Sequence, residues 1–231
     1  DEVMWPEMLN DKVLTRGKYI YSDLSMYYMK EIVEKASETP LNAYVNQKYY
    51  QPLGMQTAGF LPRKRFNKDQ IVPTTENDGW LRNMLVQGFV NDPGAAMLGG
   101  VSGHAGLFAN ANDMAIFCQM LLNKGKYGGE TYLKPATIEM FTSKQSTVSR
   151  RGLGFDTKDP DPSKTYPSTL ASDEVYGHTG YTGTAIWIDP KYKLVYVFLS
   201  NRVYPDDVNK SLNTLNIRSR IQDVIYRAIK K

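Results

Sequence analysis

The sequence contains few of the residues that build disulfides and metal centres. It has one cysteine, Cys118, and two histidines, His104 and His178. A single cysteine forms no internal disulfide, and Cys118 lies in an apolar helical pattern where a buried, unreactive thiol is expected, so the redox compartment stays open. Because no carboxylates are spaced to complete a zinc site with two histidines, the sequence predicts no metal and no cofactor.

Long apolar runs and clustered charge are also missing. No stretch reaches the roughly 18 apolar residues that a membrane-spanning helix needs, and residues 1–4 lack the pattern of a signal peptide, as a trimmed chain also would. The net charge is +4, and the densest basic run, Arg63-Lys64-Arg65, is too short to indicate nucleic-acid binding. The 42% hydrophobic and 23% charged content of the 231 residues is that of an ordinary soluble globular domain, with room for two lobes.

The first part of the chain shows helical patterns separated by a long loop. Apolar residues at three- and four-residue intervals predict a helix over 22–36, with Ser22 or Asp23 as its cap. Residues 59–106 are rich in glycine and proline, which indicates a functional surface or hidden short elements. The other predicted helices run from Pro40 to about Gln51, from a cap at Asn112 to Gly125, and from Pro135 to Phe141.

After residue 150 the pattern changes to strands. Two apolar runs, 184–188 and 194–199, flank a short polar turn and predict an antiparallel hairpin, and the second run is apolar on both faces, as in a central strand. Residues 208–229 predict a long amphipathic helix packed across that sheet. We therefore expect an α+β fold, with a mainly helical lobe over 1–150 and a sheet with its C-terminal helix over 151–231.

Two short segments carry the candidate chemistry, and each also has a purely structural interpretation. Tyr21-Ser22-Asp23 stands at a predicted helix start, where it could be a cap preceded by a packing tyrosine. In the segment His178-Thr179-Gly180-Tyr181-Thr182-Gly183-Thr184, two glycines near a histidine allow close approach of the backbone to a ligand. A tight turn explains the second segment equally well.

Together and in this order, the two segments resemble the second and third motifs of the penicillin-recognising serine hydrolases. That family includes class C β-lactamases, D-alanyl-D-alanine peptidases and related esterases and amidases. Tyr50-Gln51-Pro52-Leu53-Gly54-Met55 is similar to a recurrent Pro-Leu-Gly-Met element of the family. The segment 103–108, Gly-His-Ala-Gly-Leu-Phe, followed by Asp113-Met114, resembles its glycine turn and the next helix. The resemblance covers nearly the whole chain and implies a β-lactamase/transpeptidase-like fold.

The family's first motif, Ser-x-x-Lys, supplies the nucleophile and its lysine partner. It occurs nowhere in this sequence, and Thr15-Arg16-Gly17-Lys18 only shares its spacing. In the family the nucleophile precedes the tyrosine motif, and twenty residues precede Tyr21 here. We therefore expect that the chain begins partway through its domain, that this fragment is inactive alone, and that its exposed sheet edges favour self-association.

The resemblance also implies roles for particular residues. Tyr21 would shuttle the proton of the serine, and His178 would provide a positive charge or a hydrogen bond to a substrate carboxylate or to Tyr21. The amide of Tyr181 would form part of an oxyanion hole. The strand edge at Thr179, Gly180, Thr182 and Gly183 would align an extended substrate.

Asp23 and His104 are less usual. β-Lactamases carry asparagine at the position of Asp23, and an ionised carboxylate only accepts hydrogen bonds, so we expect a substrate that offers a donor, or a pairing of Asp23 with His178 or the lysine. His104 is a candidate for substrate binding, although a histidine bonded within its loop explains it as well.

Several functions follow from the resemblance. The motif combination looks most like the β-lactamase-like domain associated with family 3 N-acetylglucosaminidases, often fused to them, which implies an amidase acting on muropeptides in the bacterial periplasm or exterior. An esterase, a D-amino-acid peptidase or a β-lactamase acting on another small-molecule substrate would use the same groups. A noncatalytic binding module would keep the cleft without the nucleophile.

Overall fold

A computed structural model describes residues 3–12, 15–161, 163–164 and 166–230. Its α-helices are α1 (Met4–Asn10), α2 (Leu24–Ser37), α3 (Leu41–Val45), α4 (Pro93–Met97), α5 (Ala111–Leu122), α6 (Pro135–Thr142), α7 (Ser211–Thr214) and α8 (Ile217–Ile229). Its strands are β1 (Pro73–Thr75), β2 (Val86–Gln87), β3 (Lys126–Tyr127), β4 (Glu130–Thr131), β5 (Asp156–Thr157), β6 (Tyr176–Thr179), β7 (Ala185–Asp189) and β8 (Leu194–Phe198). A π-helical turn, Asn46–Tyr50, continues α3. No helix among these residues is long and apolar enough to cross a membrane.

The main sheet has the antiparallel order β5-β6-β7-β8. Trp187 of β7 stands opposite Tyr196 of β8, which confirms the predicted hairpin. The prediction that β8 is a central strand is wrong for the described residues, because β7 is its one neighbour there. Its two-sided burial is real, since Val195 and Tyr196 pack into cores on opposite faces of the sheet.

Two apolar cores cover the two faces of the sheet. One lies between α5 and the sheet and is built by Leu53, Met55, Ala58, Cys118, Met120, Leu121, Ile138, Tyr176 and Ile188. The other lies between the sheet and α8 and is built by Ala171, Val175, Ala185, Trp187, Tyr196 and Tyr226. Fully burying a large apolar side chain stabilises a fold by about 1.5–3 kcal/mol, so these clusters hold the strand that carries His178.

Two helix boundaries in the structure differ from the predictions. The predicted cap at Asn112 is wrong: α5 begins at Ala111, and the Asn110 side chain accepts from the Asp113 amide at 2.8 Å. The predicted long C-terminal helix is interrupted before α8, because Asn216 is left-handed at φ 50° and ψ 39°. Asparagine tolerates that conformation better than most residues, so the break costs little.

The long segment 59–106 contains short elements, as the prediction allowed. β1 pairs with β2, and Gly59 exchanges two 2.9 Å backbone hydrogen bonds with Phe108. The Asn201 amide group, just after β8, donates to the carbonyl oxygens of Pro73 and Thr74 at 2.6 and 2.9 Å. These contacts fasten the segment to the sheet and to the loop that carries His104.

Candidate active site

The start of α2 leaves one of its two candidate capping side chains free. The Ser22 hydroxyl accepts a hydrogen bond from the Leu24 amide at 3.2 Å, whereas the Asp23 side chain forms no capping bond. Serine is among the preferred capping residues, and this bond satisfies one of the unpaired amides of the first turn. The Asp23 carboxylate is therefore available to the surface beside Tyr21.

The His178 ring is held in one tautomer by its two neighbours. Its Nε2 lies 2.8 Å from Nη1 of Arg151, and its Nδ1 lies 2.8 Å from the Thr179 carbonyl oxygen. A guanidinium only donates and a carbonyl only accepts, so Nδ1 carries the proton and Nε2 is bare. The imidazole is uncharged in this arrangement.

The second and third motifs meet in space. The rings of Tyr21 and His178 stack with their centroids 6.3 Å apart and their planes at 30°. The guanidinium carbon of Arg151 lies 4.8 Å from the centroid of the Tyr21 ring, within the range of a cation–π contact. Sequence reasoning missed Arg151, whose only local signal was its place at the boundary between the helical and strand patterns.

The pKa of the Tyr21 phenol is set by opposing influences. Partial burial and the nearby Asp23 carboxylate raise this pKa, the Arg151 guanidinium lowers it, and the net direction is upward. Tyr21 is therefore protonated at neutral pH, which suits a group that must exchange a proton with a hydroxyl.

The turn between β6 and β7 is fixed by hydrogen bonds and by Gly183. The Gly180 amide donates to the Thr184 carbonyl at 2.9 Å, and the Thr182 carbonyl accepts from the Arg202 amide at 2.8 Å. Gly183 has φ 119°, and a Cβ there would lie 2.6 Å from the Ser200 hydroxyl. Only glycine fits this position without strain.

The backbone amide of Tyr181 has no hydrogen-bond acceptor among the described residues. Arg202 holds the residue from the other side, with Nε donating to the Tyr181 carbonyl at 2.8 Å and the guanidinium carbon 4.4 Å from the ring centroid. The Tyr181 hydroxyl donates to Asp207. At the end of β6, before this turn, the Thr179 hydroxyl accepts a hydrogen bond from the half-buried Tyr166 hydroxyl at 2.9 Å, and burial raises the pKa of Tyr166 to about 12.

His104 lies beside Asp23, on a loop packed against α2. Its Nε2 is 2.7 Å from Oδ1 of Asp92 and its Nδ1 is 2.9 Å from the Ser102 hydroxyl. The bond from His104 lowers the pKa of Asp92. Both ring nitrogens are thus used within the loop.

Asp23, Asp92 and His104 bring their donor atoms within 4.8 Å of one another. Two carboxylates and an imidazole form a donor set that could hold a cation. The bond between His104 and Asp92 by itself accounts for the closeness of two of the three. The sequence did not suggest this grouping, because its members come from three separate segments.

Comparison with known proteins finds a family model and curated relatives that match this chain. Residues 8–218 match the family model described as Beta-lactamase. A relative from Escherichia coli (strain K12), named "Putative D-alanyl-D-alanine carboxypeptidase", is 34% identical over 93% of this chain and 54% of its own length. A relative from Bacillus subtilis (strain 168), named N-acetylmuramyl-L-alanine amidase, is 34% identical over 86% of this chain and 48% of its own length. The chain spans about half the length of the curated relatives it matches.

Solved structures share the fold. A β-lactamase from Mycobacterium bovis superposes with a TM-score of 0.62 at 21% identity, over 95% of this chain and 69% of that one. A penicillin-binding protein homologue from Caulobacter crescentus superposes with a TM-score of 0.57 at 20% identity, over 83% of this chain and 54% of that one. The predicted α+β, β-lactamase/transpeptidase-like fold is confirmed. Given the match of its residues 8–218 to the family model and the relatives that are 34% identical, this chain belongs to the Beta-lactamase family.

Proposed function

We propose that this chain carries the proton-transfer and substrate-aligning groups of a serine hydrolase that cleaves amide bonds in cell-wall muropeptides through an acyl-enzyme. The observation that carries the proposal is the stacking of Tyr21 on His178 beneath Arg151. The names of the relatives, an N-acetylmuramyl-L-alanine amidase among them, support a cell-wall substrate.

Each predicted site residue has a place in the proposed reaction. Tyr21 takes the proton of the nucleophile and passes it to the leaving amine, and His178 packs against its ring. The unpaired amide of Tyr181 donates to the developing oxyanion. Asp23 accepts a hydrogen bond from a donor on the substrate, since its carboxylate is not used as a cap.

The substrate would lie along the edge that leads from β6 into the turn. Thr179, Gly180, Thr182 and Gly183 form this edge, and an extended chain could pair with their backbone. His104 stands behind Asp23, with both nitrogens bonded to other side chains, so we propose that it shapes the substrate site through Asp92 and Asp23.

This sequence contains no Ser-x-x-Lys that could provide the nucleophile. We propose that polypeptide outside these 231 residues supplies it, and that the 1–150 and 151–231 parts act as one unit, since each contributes one motif to the Tyr21–His178 pair. An association with a family 3 N-acetylglucosaminidase remains a prediction, as does self-association through the edge of β8 that is unpaired within the described part of the chain.

A second candidate is a D-alanyl-D-alanine carboxypeptidase, which the name of the Escherichia coli relative favours. The two reactions differ in the bond cleaved, so they can be separated by product. The amidase frees a peptide from N-acetylmuramic acid, whereas the carboxypeptidase frees D-alanine. Esterase activity, β-lactamase activity and a noncatalytic binding role are the other candidates. A chromogenic cephalosporin tests for β-lactamase activity, and a noncatalytic module would turn over none of these substrates.

The test combines covalent labelling with product analysis. This chain and the natural polypeptide that contains it are treated with a fluorophosphonate and weighed by mass spectrometry, with a Tyr21→Phe variant alongside. We expect labelling of the longer polypeptide only, slowed by Tyr21→Phe, and release of peptide from N-acetylmuramyl-peptides. Labelling of Ser22 or another serine in this chain would contradict the proposal, as would an unlabelled longer polypeptide.

A further inference from the structure

We infer that Arg151 is a positioning residue of this site: it fixes the uncharged tautomer of His178 and supplies the positive charge beside Tyr21. The role in catalysis rests on the proposed function. The arrangement itself rests on the contacts of Arg151, which neither the motifs nor the names of the relatives indicate.

The first step concerns the histidine. Arginine stays protonated in proteins and has no acceptor, so the 2.8 Å contact between Arg151 Nη1 and His178 Nε2 requires a bare Nε2. The proton on Nδ1 is committed to the Thr179 carbonyl. His178 therefore has no hydrogen left to donate to Tyr21 or to a substrate carboxylate, and it carries no charge while Arg151 stays in place.

The second step concerns the charge. The groups that act on Tyr21 from its own segment are Tyr19 and Asp23, and those from the elements packed against it are Arg151, Asp156 and the uncharged His178. Arg151 is the one cation in this set. Its guanidinium lies over the Tyr21 ring at 4.8 Å, where a positive charge favours the phenolate.

The third step concerns how Arg151 is held. Its Nη2 lies 3.3 Å from Oδ2 of Asp156, a carboxylate with 1% of its side chain exposed. The neighbouring Arg150 binds both oxygens of that carboxylate through its two terminal nitrogens. Arg150 thus neutralises Asp156, and Arg151 makes its shorter contact with the ring of His178.

Arg151 has no equivalent replacement. Lysine keeps a positive charge and a donor for Nε2 but lacks the planar group that covers a ring and reaches two partners at once. Methionine keeps a comparable stem and removes both charge and donor. The two variants therefore separate hydrogen bonding and charge from packing.

The tautomer of His178 can be measured by NMR, because a sequence with two histidines gives few imidazole signals to assign. Long-range ¹H–¹⁵N spectra at pH 7.5 of this chain and of Arg151→Met and Arg151→Lys, assigned with His104→Gln, report each ring. We expect the Nδ1–H form of His178 in the native chain and in Arg151→Lys, and a shift toward the Nε2–H form in Arg151→Met. The His104 signals, set by Asp92 and Ser102, act as an internal control of folding.

The second measurement is a phenol titration by ultraviolet absorbance, with Tyr21→Phe subtracted in each background. The pKa of Tyr21 should rise in Arg151→Met and fall back toward the native value in Arg151→Lys. An unchanged His178 tautomer in folded Arg151→Met would overturn the inference. If Arg151→Met does not fold, an Nε2–H form of His178 in Arg151→Lys would overturn it instead. Neither measurement requires catalytic turnover, so both test the role of Arg151 even if this chain has no hydrolase activity.

Discussion

Replacing Asp113 with alanine should loosen the loop that carries His104 and destabilise the whole chain. One oxygen of Asp113, Oδ2, accepts from the Thr57 amide at 2.6 Å, the Thr57 hydroxyl at 2.7 Å and the Ala58 amide at 2.9 Å. Asp113 is 3% exposed, so water cannot easily replace it. The residue that follows Ala58 is Gly59, whose backbone bonds to Phe108 hold the end of the His104 loop.

The magnitude follows from the donors that the substitution leaves unpaired. Each buried amide that loses its partner costs about 1–3 kcal/mol, and the hydroxyl can turn toward another acceptor. Two such amides give a loss of about 2–6 kcal/mol in the free energy of unfolding. For a chain of this length each kcal/mol lowers Tm by about 2–4 °C, so we expect a drop of about 4–24 °C.

The measurement is urea unfolding followed by circular dichroism, with calorimetry for Tm. Asp113→Asn keeps a carbonyl oxygen for the same donors and should lose less than the alanine variant. Asp69→Ala removes an exposed carboxylate with no hydrogen-bond partner among the described side chains and should leave the midpoint unchanged. Equal stability of Asp113→Ala and the native chain would refute the assignment of these hydrogen bonds as a main support of the loop.

The Asp113 carboxylate also makes the stability of the fold depend on pH. Burial raises the pKa of Asp113, hydrogen bonds from Thr57 and Ala58 lower it, and the net direction is downward. A carboxyl group whose pKa is lower in the folded state stabilises the fold above its unfolded pKa of about 4, and that contribution disappears as pH falls through the folded value. Asp113→Asn should therefore show a weaker fall in urea midpoint below about pH 4 than the native chain does.

Three further outcomes test other parts of the structure. Gly183→Ala should lower Tm more than Gly154→Ala, because both glycines have positive φ but only the first is crowded by side chains; equal losses would contradict the crowding. Burial raises the pKa of Cys118 to about 12, so a thiol reagent at pH 8 should modify it only after denaturant is added, and rapid reaction of the folded chain would disprove its burial. His104→Ala should destabilise the chain at pH 7, with the gap to native narrowing below about pH 4 as Asp92 is protonated, whereas a gap independent of pH would argue against their bond.

Much of the fold could be read from local patterns. The helix from about Ser22, the hairpin of β7 and β8 and the buried thiol of Cys118 all follow from residue spacing, because backbone periodicity decides which side chains share a face. The order of the two motifs pointed to the family, which the family match confirms. Helix boundaries were harder to predict from the sequence. Asn110 and Asn112 are equally good caps by residue type, and the pairing of Phe108 with Gly59 places the cap at Asn110.

The composition of the candidate site was decided by packing between distant segments. Tyr21 and His178 were expected from their motifs, but Arg151, which links them, stands far from Tyr21 in sequence and belongs to no motif. The same holds for Asp92, which lies near His104 and Asp23 only because the start of α4 meets α2 where Gly94 approaches Tyr27. Local sequence determines which groups can donate, accept or carry charge, whereas their partners depend on how the sheet, helices and loops close on one another.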